Sequence, residues 1–264
     1  MEILGYFSAI FVGLTLGLIG GGGSILTVPI LVYLMGVTPV NATAYSLFIV
    51  GLTSLIGASA YMKKKLVNFM AAVVFAIPAF SAVFVARMFI VPAIPDQIWD
   101  LGFIVITKDL FIMVLFAVLM FFSSYFMIKD KRVEVETQKI EFNYPMIIME
   151  GILVGTLTGL VGAGGGFLII PALVLLAKLP MKMAVGTSLL IIAVNSLIGF
   201  MGDIGAHRII DWKLLSIFSV MAVAGIIAGS ILSKYISGAK LKPAFGWFVM
   251  IMSIYILGKE LIFH

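Results

Sequence analysis

The chain has 264 residues, 62% of them hydrophobic and only 11% charged, with no cysteine and a mean hydropathy of +1.23. A soluble domain is nearer half apolar and a quarter charged, so no packed core of this size could hide the apolar surface, and the solvent must be lipid. The net charge of +5 then argues for no nucleic-acid partner, the lack of cysteine excludes disulfides and thiolate metal sites, and two histidines leave little for a metal centre. Nothing here implies a cofactor.

No Asp, Glu, Lys or Arg occurs between Ile3 and Met62, and further uncharged runs cover 66–86, 110–128, 151–177, 183–202 and 214–233. Short segments of alternating hydrophobicity, the mark of a membrane β-barrel, are absent. The fold class is therefore an all-α polytopic membrane protein. Four apolar segments lie at 3–35, 39–61, 67–91 and 110–128, and four more at 145–177, 182–202, 213–235 and 243–262. Glu2, with no basic residue before the first apolar stretch, predicts no cleaved signal peptide. Thr38-Pro39 predicts a helix start, with a capping residue followed by proline in the first turn.

The two sets of four are copies. Gly17-Leu18-Ile19-Gly20-Gly21-Gly22-Gly23-Ser24 resembles Gly159-Leu160-Val161-Gly162-Ala163-Gly164-Gly165-Gly166, an offset of 142 that holds without a gap from Gly13–Gly57 to Gly155–Gly199 with 19 identities in 45 positions. Pro29 falls on Pro171, Ser46 on Ser188, and Ser54-Leu55-Ile56-Gly57 on Ser196-Leu197-Ile198-Gly199. Chance likeness between apolar stretches would not put glycines and a proline in register. The predicted organisation is a first transmembrane repeat at 1–128, a charged cytoplasmic linker at 129–141 and a second repeat at 142–264.

The first segment of each repeat is too long for one crossing. Thirty-three residues of helix span roughly 50 Å, against about 30 Å of hydrocarbon. Each is interrupted near its middle by glycines, which disfavour helix. Either it crosses once, long and kinked, or it folds at the glycines into a re-entrant hairpin. With simple crossings and an internal N-terminus, 10 basic residues face the cytoplasm and 7 face out; with hairpins and an external N-terminus, 12 face in and 5 out. The positive-inside bias favours the hairpins. Each repeat is then a glycine-broken hairpin helix followed by three transmembrane helices, and an odd number of crossings makes the two halves inverted repeats.

A helix that starts inside the membrane has several N–H groups without partners, which lipid cannot satisfy. The macrodipole adds partial positive charge there, so such an end suits an anion. Inverted repeats with interrupted helices place their substrate near the midplane between the repeats. The candidate substrate-binding residues are accordingly Gly21, Gly22, Gly23 and Ser24 in the first break and Gly164, Gly165 and Gly166 in the second. Glycines lack the Cβ that would hold an anion off the backbone. The following helix of each repeat adds Ser46 and Thr53, seven apart on one face, and their mates Ser188 and Asn195, with Thr187 beside them. Glu150, a turn or two inside its segment, is the candidate for a coupling proton. Arg87, near a helix end, is expected to snorkel to the interface or else to act as an anion-attracting charge at the entrance, and Asp203, His207, Arg208 and Asp211 read as a solvated loop cluster.

These residues resemble the sulfite exporter TauE/SafE family of anion transporters. The resemblance rests on the duplicated glycine break, on Pro29 and Pro171, and on Ala184-Val185-Gly186-Thr187-Ser188-Leu189 with its first-half counterpart Asn41-Ala42-Thr43-Ala44-Tyr45-Ser46-Leu47, and it covers essentially the whole chain. It implies secondary transport, in the export direction, of sulfite or small organosulfonates such as sulfoacetate across a bacterial-type plasma membrane. It carries binding roles onto Gly20 to Ser24, Ser46, Gly162 to Gly166, Thr187 and Ser188. The first half departs at Ala44-Tyr45, where the ring of Tyr45 would narrow the cavity. An anion channel, or a transporter of another small organic anion, would use the same helix ends. Enzyme chemistry is not expected: a serine nucleophile at Ser24 or Ser188 needs a histidine within hydrogen-bond reach, and His207 sits in a loop.

Overall fold

The computed structural model describes residues 2–19, 21–100, 105–129, 144–175, 179–206, 210–232 and 238–262. Helix α1 (Glu2–Ile19) leads into a tight turn over Gly21–Leu26, a single α-turn at Thr27–Pro29 and a wider π turn at Ile30–Leu34. Helices α2 (Pro39–Lys63) and α3 (Phe69–Val85) follow, α3 running on through a π turn at Ala86–Ile90 to Ala93. A short antiparallel hairpin of β1 (Gln97–Asp100) and β2 (Val105–Thr107) precedes α4 (Lys108–Lys129). The second half gives α5 (Tyr144–Val161), α6 (Gly166–Leu175), α7 (Met181–Gly205), α8 (Trp212–Leu232) and α9 (Gly238–Ile262).

The protein is thus helical and polytopic, with one small β-hairpin added to the all-α class. Among the described residues, five helices, Pro39–Lys63, Phe69–Ala93, Lys108–Tyr125, Lys182–Gly205 and Trp212–Leu232, are long and apolar enough to cross a membrane. Large side chains such as Phe7, Val73, Met149, Val220 and Ile251 are exposed on the outside of the bundle, as expected where the neighbour is lipid. Except for Lys129, the linker expected at 129–141 lies outside the described residues, as do His207 and Arg208.

Packing interleaves the two halves: α1 lies on α8, α5 on α3, α2 on α7, and α4 on α9. Small residues set the first two pairs, as is common between membrane helices. A Cβ at Gly13 would collide with the Ala222 carbonyl and one at Gly155 with the Ala79 carbonyl. One turn on, a Cβ at Gly17 would stand 2.6 Å from the Ile226 oxygen and one at Gly159 3.2 Å from the Val83 oxygen. The same contact therefore occurs twice, once in each direction between the repeats. Helices α2 and α7 cross in opposite chain directions: Gly51 meets Leu197, Gly57 meets Leu189, and Gly199 meets Leu47.

The over-long first segment returns on itself. Gly5, near the start of α1, faces Met35, just after the π turn; a Cβ on Gly5 would lie 2.7 Å from the Met35 side chain. At the start of α2, Thr38 occupies the capping position but its side chain caps nothing. The Val40 N–H instead donates to Asp109 of α4 at 3.2 Å, so a tertiary contact replaces the local one.

Candidate functional site

The second glycine break is a sharp turn with left-handed backbone at Gly162, Gly164 and Gly165 (φ +71°, +68° and +69°). Only glycine adopts this repeatedly without strain. The turn is inserted deep into the bundle. Gly162 touches Thr43 of α2; a Cβ at Gly164 would lie 2.7 Å from Val50 Cγ1 of α2 and 3.2 Å from Ser196 Oγ of α7; Gly165 backs onto Thr158 of α5. Helix α6 then starts at Gly166, with the Leu168 and Ile169 N–H groups donating to the Gly165 carbonyl at 2.9 and 3.0 Å. The first break, Gly21–Leu26, packs against α6, α7 and α2. The two breaks, 142 residues apart in sequence, therefore meet at the α2–α7 crossing.

Around that crossing several polar side chains are completely buried. Ser24, Ser46, Thr53, Thr187, Ser188 and Asn195, all singled out from the sequence, have no exposed surface, and neither have Ser54 and Ser196. Their partners differ. Thr53 donates to the Ile49 and Val50 carbonyls at 2.7 and 3.1 Å, and Ser188 to the Val185 carbonyl at 2.8 Å, the back-bonding usual for hydroxyls in membrane helices. The Thr187 hydroxyl accepts from the Asn68 N–H at 2.9 Å, tying the start of α3 to α7. By contrast, the hydroxyls of Ser46, Ser54 and Ser196 and both amide atoms of Asn195 have no hydrogen-bond partner among the described residues. A buried unpaired polar group costs free energy and calls for an explanation.

Ser54 and Ser196 were not among the residues expected at the site, although their identity in the two repeats marked them. Glu150 is half-buried on α5 with Oε2 enclosed and unpartnered. Tyr45 is buried, but its hydroxyl accepts from the Asp211 N–H at 2.8 Å, so its polar end serves the loop before α8. Among the described residues no group of three or more His, Cys, Asp or Glu side chains could hold a metal.

Two expectations need correction. Arg87 does not snorkel and Asp203 is not a solvated loop residue: both are fully buried, with Nη1 of Arg87 3.5 Å from Oδ2 of Asp203. The same Nη1 donates to the Thr43 hydroxyl at 3.0 Å. Two charges of opposite sign on packed helices can stay out of water where one could not. Sequence periodicity could not reveal this, because the partners lie 116 positions apart and on different repeats.

The sulfite exporter TauE/SafE family model matches residues 6–256. A probable membrane transporter protein of Xylella fastidiosa (strain 9a5c) is 30% identical over 255 residues, covering 94% of this chain and 92% of its own. A probable membrane transporter protein of Methanocaldococcus jannaschii is 35% identical over 127 residues, 44% of this chain and 47% of its own. The probable membrane transporter protein YunE of Bacillus subtilis is 28% identical over 263 residues, covering 94% and 92%. No solved structure matches the chain.

Proposed function

The chain belongs to the sulfite exporter TauE/SafE family of membrane proteins, and from that premise we propose that it is a secondary transporter exporting small sulfur-containing anions, sulfite or an organosulfonate such as sulfoacetate. The substrate binds near the membrane midplane, between the N-terminal ends of two half-helices that enter from opposite leaflets. In this reading the halves are inverted repeats, each opening with a re-entrant hairpin. The antiparallel crossing of α2 with its repeat mate α7 and the return of Met35 to Gly5 support that arrangement.

The observation that carries the site is the set of buried, unpartnered Ser46, Ser54, Asn195 and Ser196 groups on the crossing helices α2 and α7, with Ser196 against Gly164 of the glycine turn. Neutral donors suit a desolvated oxyanion, because they stabilise it without the long residence that a lysine would impose. Gly21, Gly22, Gly23 and Ser24 supply the first helix end, Gly164, Gly165 and Gly166 the second, and Glu150 carries the coupling proton. Localisation follows as a multi-pass protein of a bacterial-type plasma membrane, with Lys63, Lys64 and Lys65 in the cytoplasm.

The test is thermal stability of the detergent-purified protein against anions at constant ionic strength, since a ligand that binds only the folded state raises stability with its concentration. The panel is sulfite, sulfate, thiosulfate, sulfoacetate, taurine, phosphate, formate and acetate. Stabilisation by one sulfur anion, followed by saturable uptake of that anion into proteoliposomes under an imposed proton gradient, is the expected result. Stabilisation by a carboxylate alone would overturn the substrate class, and non-saturating voltage-driven current would make the protein a channel.

A further inference from the structure

Resting on the alternating-access reading above, we propose that Arg87 and Asp203 form an ion-paired gate that closes the central site on the side away from Lys63, Lys64 and Lys65, whereas the opposite end is closed by packing without charge. The pair joins α7 to the π turn that extends α3, and through Thr43 it also holds the start of α2. These elements come from both repeats. Thr43 is in turn pressed against Gly162, the first residue of the second glycine turn. The stem of Arg87 is held by Gly202, where a Cβ would stand 2.9 Å from Arg87 Cβ. The π turn at Ala86–Ile90 widens α3 where the arginine leaves it, and such insertions recur at functional sites. In this proposal an anion moving between the glycine turn and this end of the bundle parts these groups.

Among the described residues the other end shows no such pair. Helices α2 and α7 align residue for residue, Pro39–Lys63 on Met181–Gly205, so Asp203 corresponds to Tyr61. The paired carbonyl contacts make Val83 equivalent to Ile226, so Arg87 corresponds to Ser230, whose hydroxyl donates to the Ile227 carbonyl at 2.9 Å. Thr43 corresponds to Val185. At that end Tyr61 packs on Gly186, where a Cβ would lie 3.0 Å from the tyrosine Cβ. Thr43 and Tyr61 are about 27 Å apart along α2 at 1.5 Å per residue, so the two closures sit near opposite faces of the hydrocarbon. Exposed Lys63, Lys64 and Lys65 flank the tyrosine end, which the positive-inside bias puts in the cytoplasm. The charged gate is therefore the external one, and the two sides of the transport cycle differ in what holds them shut.

The chain has no cysteine, so Asn195→Cys introduces a single thiol at the centre of α7. The experiment follows its reaction with a membrane-impermeant maleimide added outside whole cells or to inside-out vesicles. Adding Asp203→Asn is expected to raise the external labelling rate about tenfold or more, as the outward-open population grows, with the internal rate unchanged. The charge-swapped pair Arg87→Asp with Asp203→Arg returns the external rate towards its starting value, and Tyr61→Ala raises only the internal rate. An external rate unmoved by Asp203→Asn, or rates that rise equally from both sides, overturns the gate. If Asp203→Asn does not fold, the swapped pair decides: external protection supports the gate, and a thiol open to the outside overturns it. A thiol reactive from neither side in every variant overturns the gate together with the central cavity it rests on, whereas internal reactivity with no response to Asp203→Asn overturns the gate alone.

Discussion

Ser46 and Ser188 occupy the same position in the two repeats and are both fully buried, yet only Ser188 has a partner, the Val185 carbonyl at 2.8 Å. Replacing each by alanine should therefore act with opposite sign. An enclosed hydroxyl with no partner costs about 1–3 kcal/mol of desolvation, and Ser46→Ala removes that penalty while leaving a void of only one oxygen. Ser188→Ala instead forfeits a back-bond worth about 0.5–1.5 kcal/mol. In thermal melts of the detergent-purified protein, with about 2–4 °C per kcal/mol at this chain length, Ser46→Ala should melt at or above the parent and Ser188→Ala slightly below it. Ligand response should run the other way. A hydrogen bond to a charged group contributes about 1.5–3 kcal/mol, so Ser46→Ala should weaken binding of the stabilising anion by roughly tenfold to a hundredfold. Ser188→Ala should leave that binding nearly unchanged. If Ser46→Ala melts lower and its anion response is intact, the Ser46 hydroxyl has a structural partner and the binding argument built on unpaired donors fails.

Other substitutions probe the frame and the coupling. Gly164→Ala puts a methyl 2.7 Å from Val50 Cγ1 at a φ of +68°, so the steric and backbone costs together should exceed about 1–2 kcal/mol and show as a lowered melting temperature. Thr187→Val removes the acceptor of the Asn68 N–H and should lower stability by about 1–3 kcal/mol, because a donor is left unpaired, while saturable anion uptake persists. Glu150→Gln should abolish the response of uptake to an imposed proton gradient in proteoliposomes but leave counterflow exchange of the anion intact; uptake that still follows the gradient would remove Glu150 from the coupling path.

The long uncharged runs make the helical, polytopic class legible in the sequence, because lipid forces length and apolarity onto every spanning helix. Element positions followed closely: the apolar segments at 39–61 and 213–235 became Pro39–Lys63 and Trp212–Leu232. The hairpin between α3 and α4 is not among the sequence expectations, although Ile98, Trp99, Val105, Ile106 and Thr107 favour strands and Gly102 stands between the two runs. At the candidate site the residue types were legible, the glycines for their backbone and Ser46 and Asn195 for their depth on the helix.

Which of those side chains stand unpaired was decided only by the tertiary structure. Thr53 and Asn195 are repeat mates in the middle of equivalent helices, but a threonine hydroxyl reaches its own helix's carbonyls and an asparagine amide finds no partner here. The fates of Arg87 and Asp203 were decided in the same way. Near a helix end each one reads as a surface charge, and only the packing of α3 against α7 supplies the opposite charge that lets both stay buried. Periodicity along one chain records which face of a helix is apolar; it carries no record of which distant residue will meet that face, and pairing depends on that meeting.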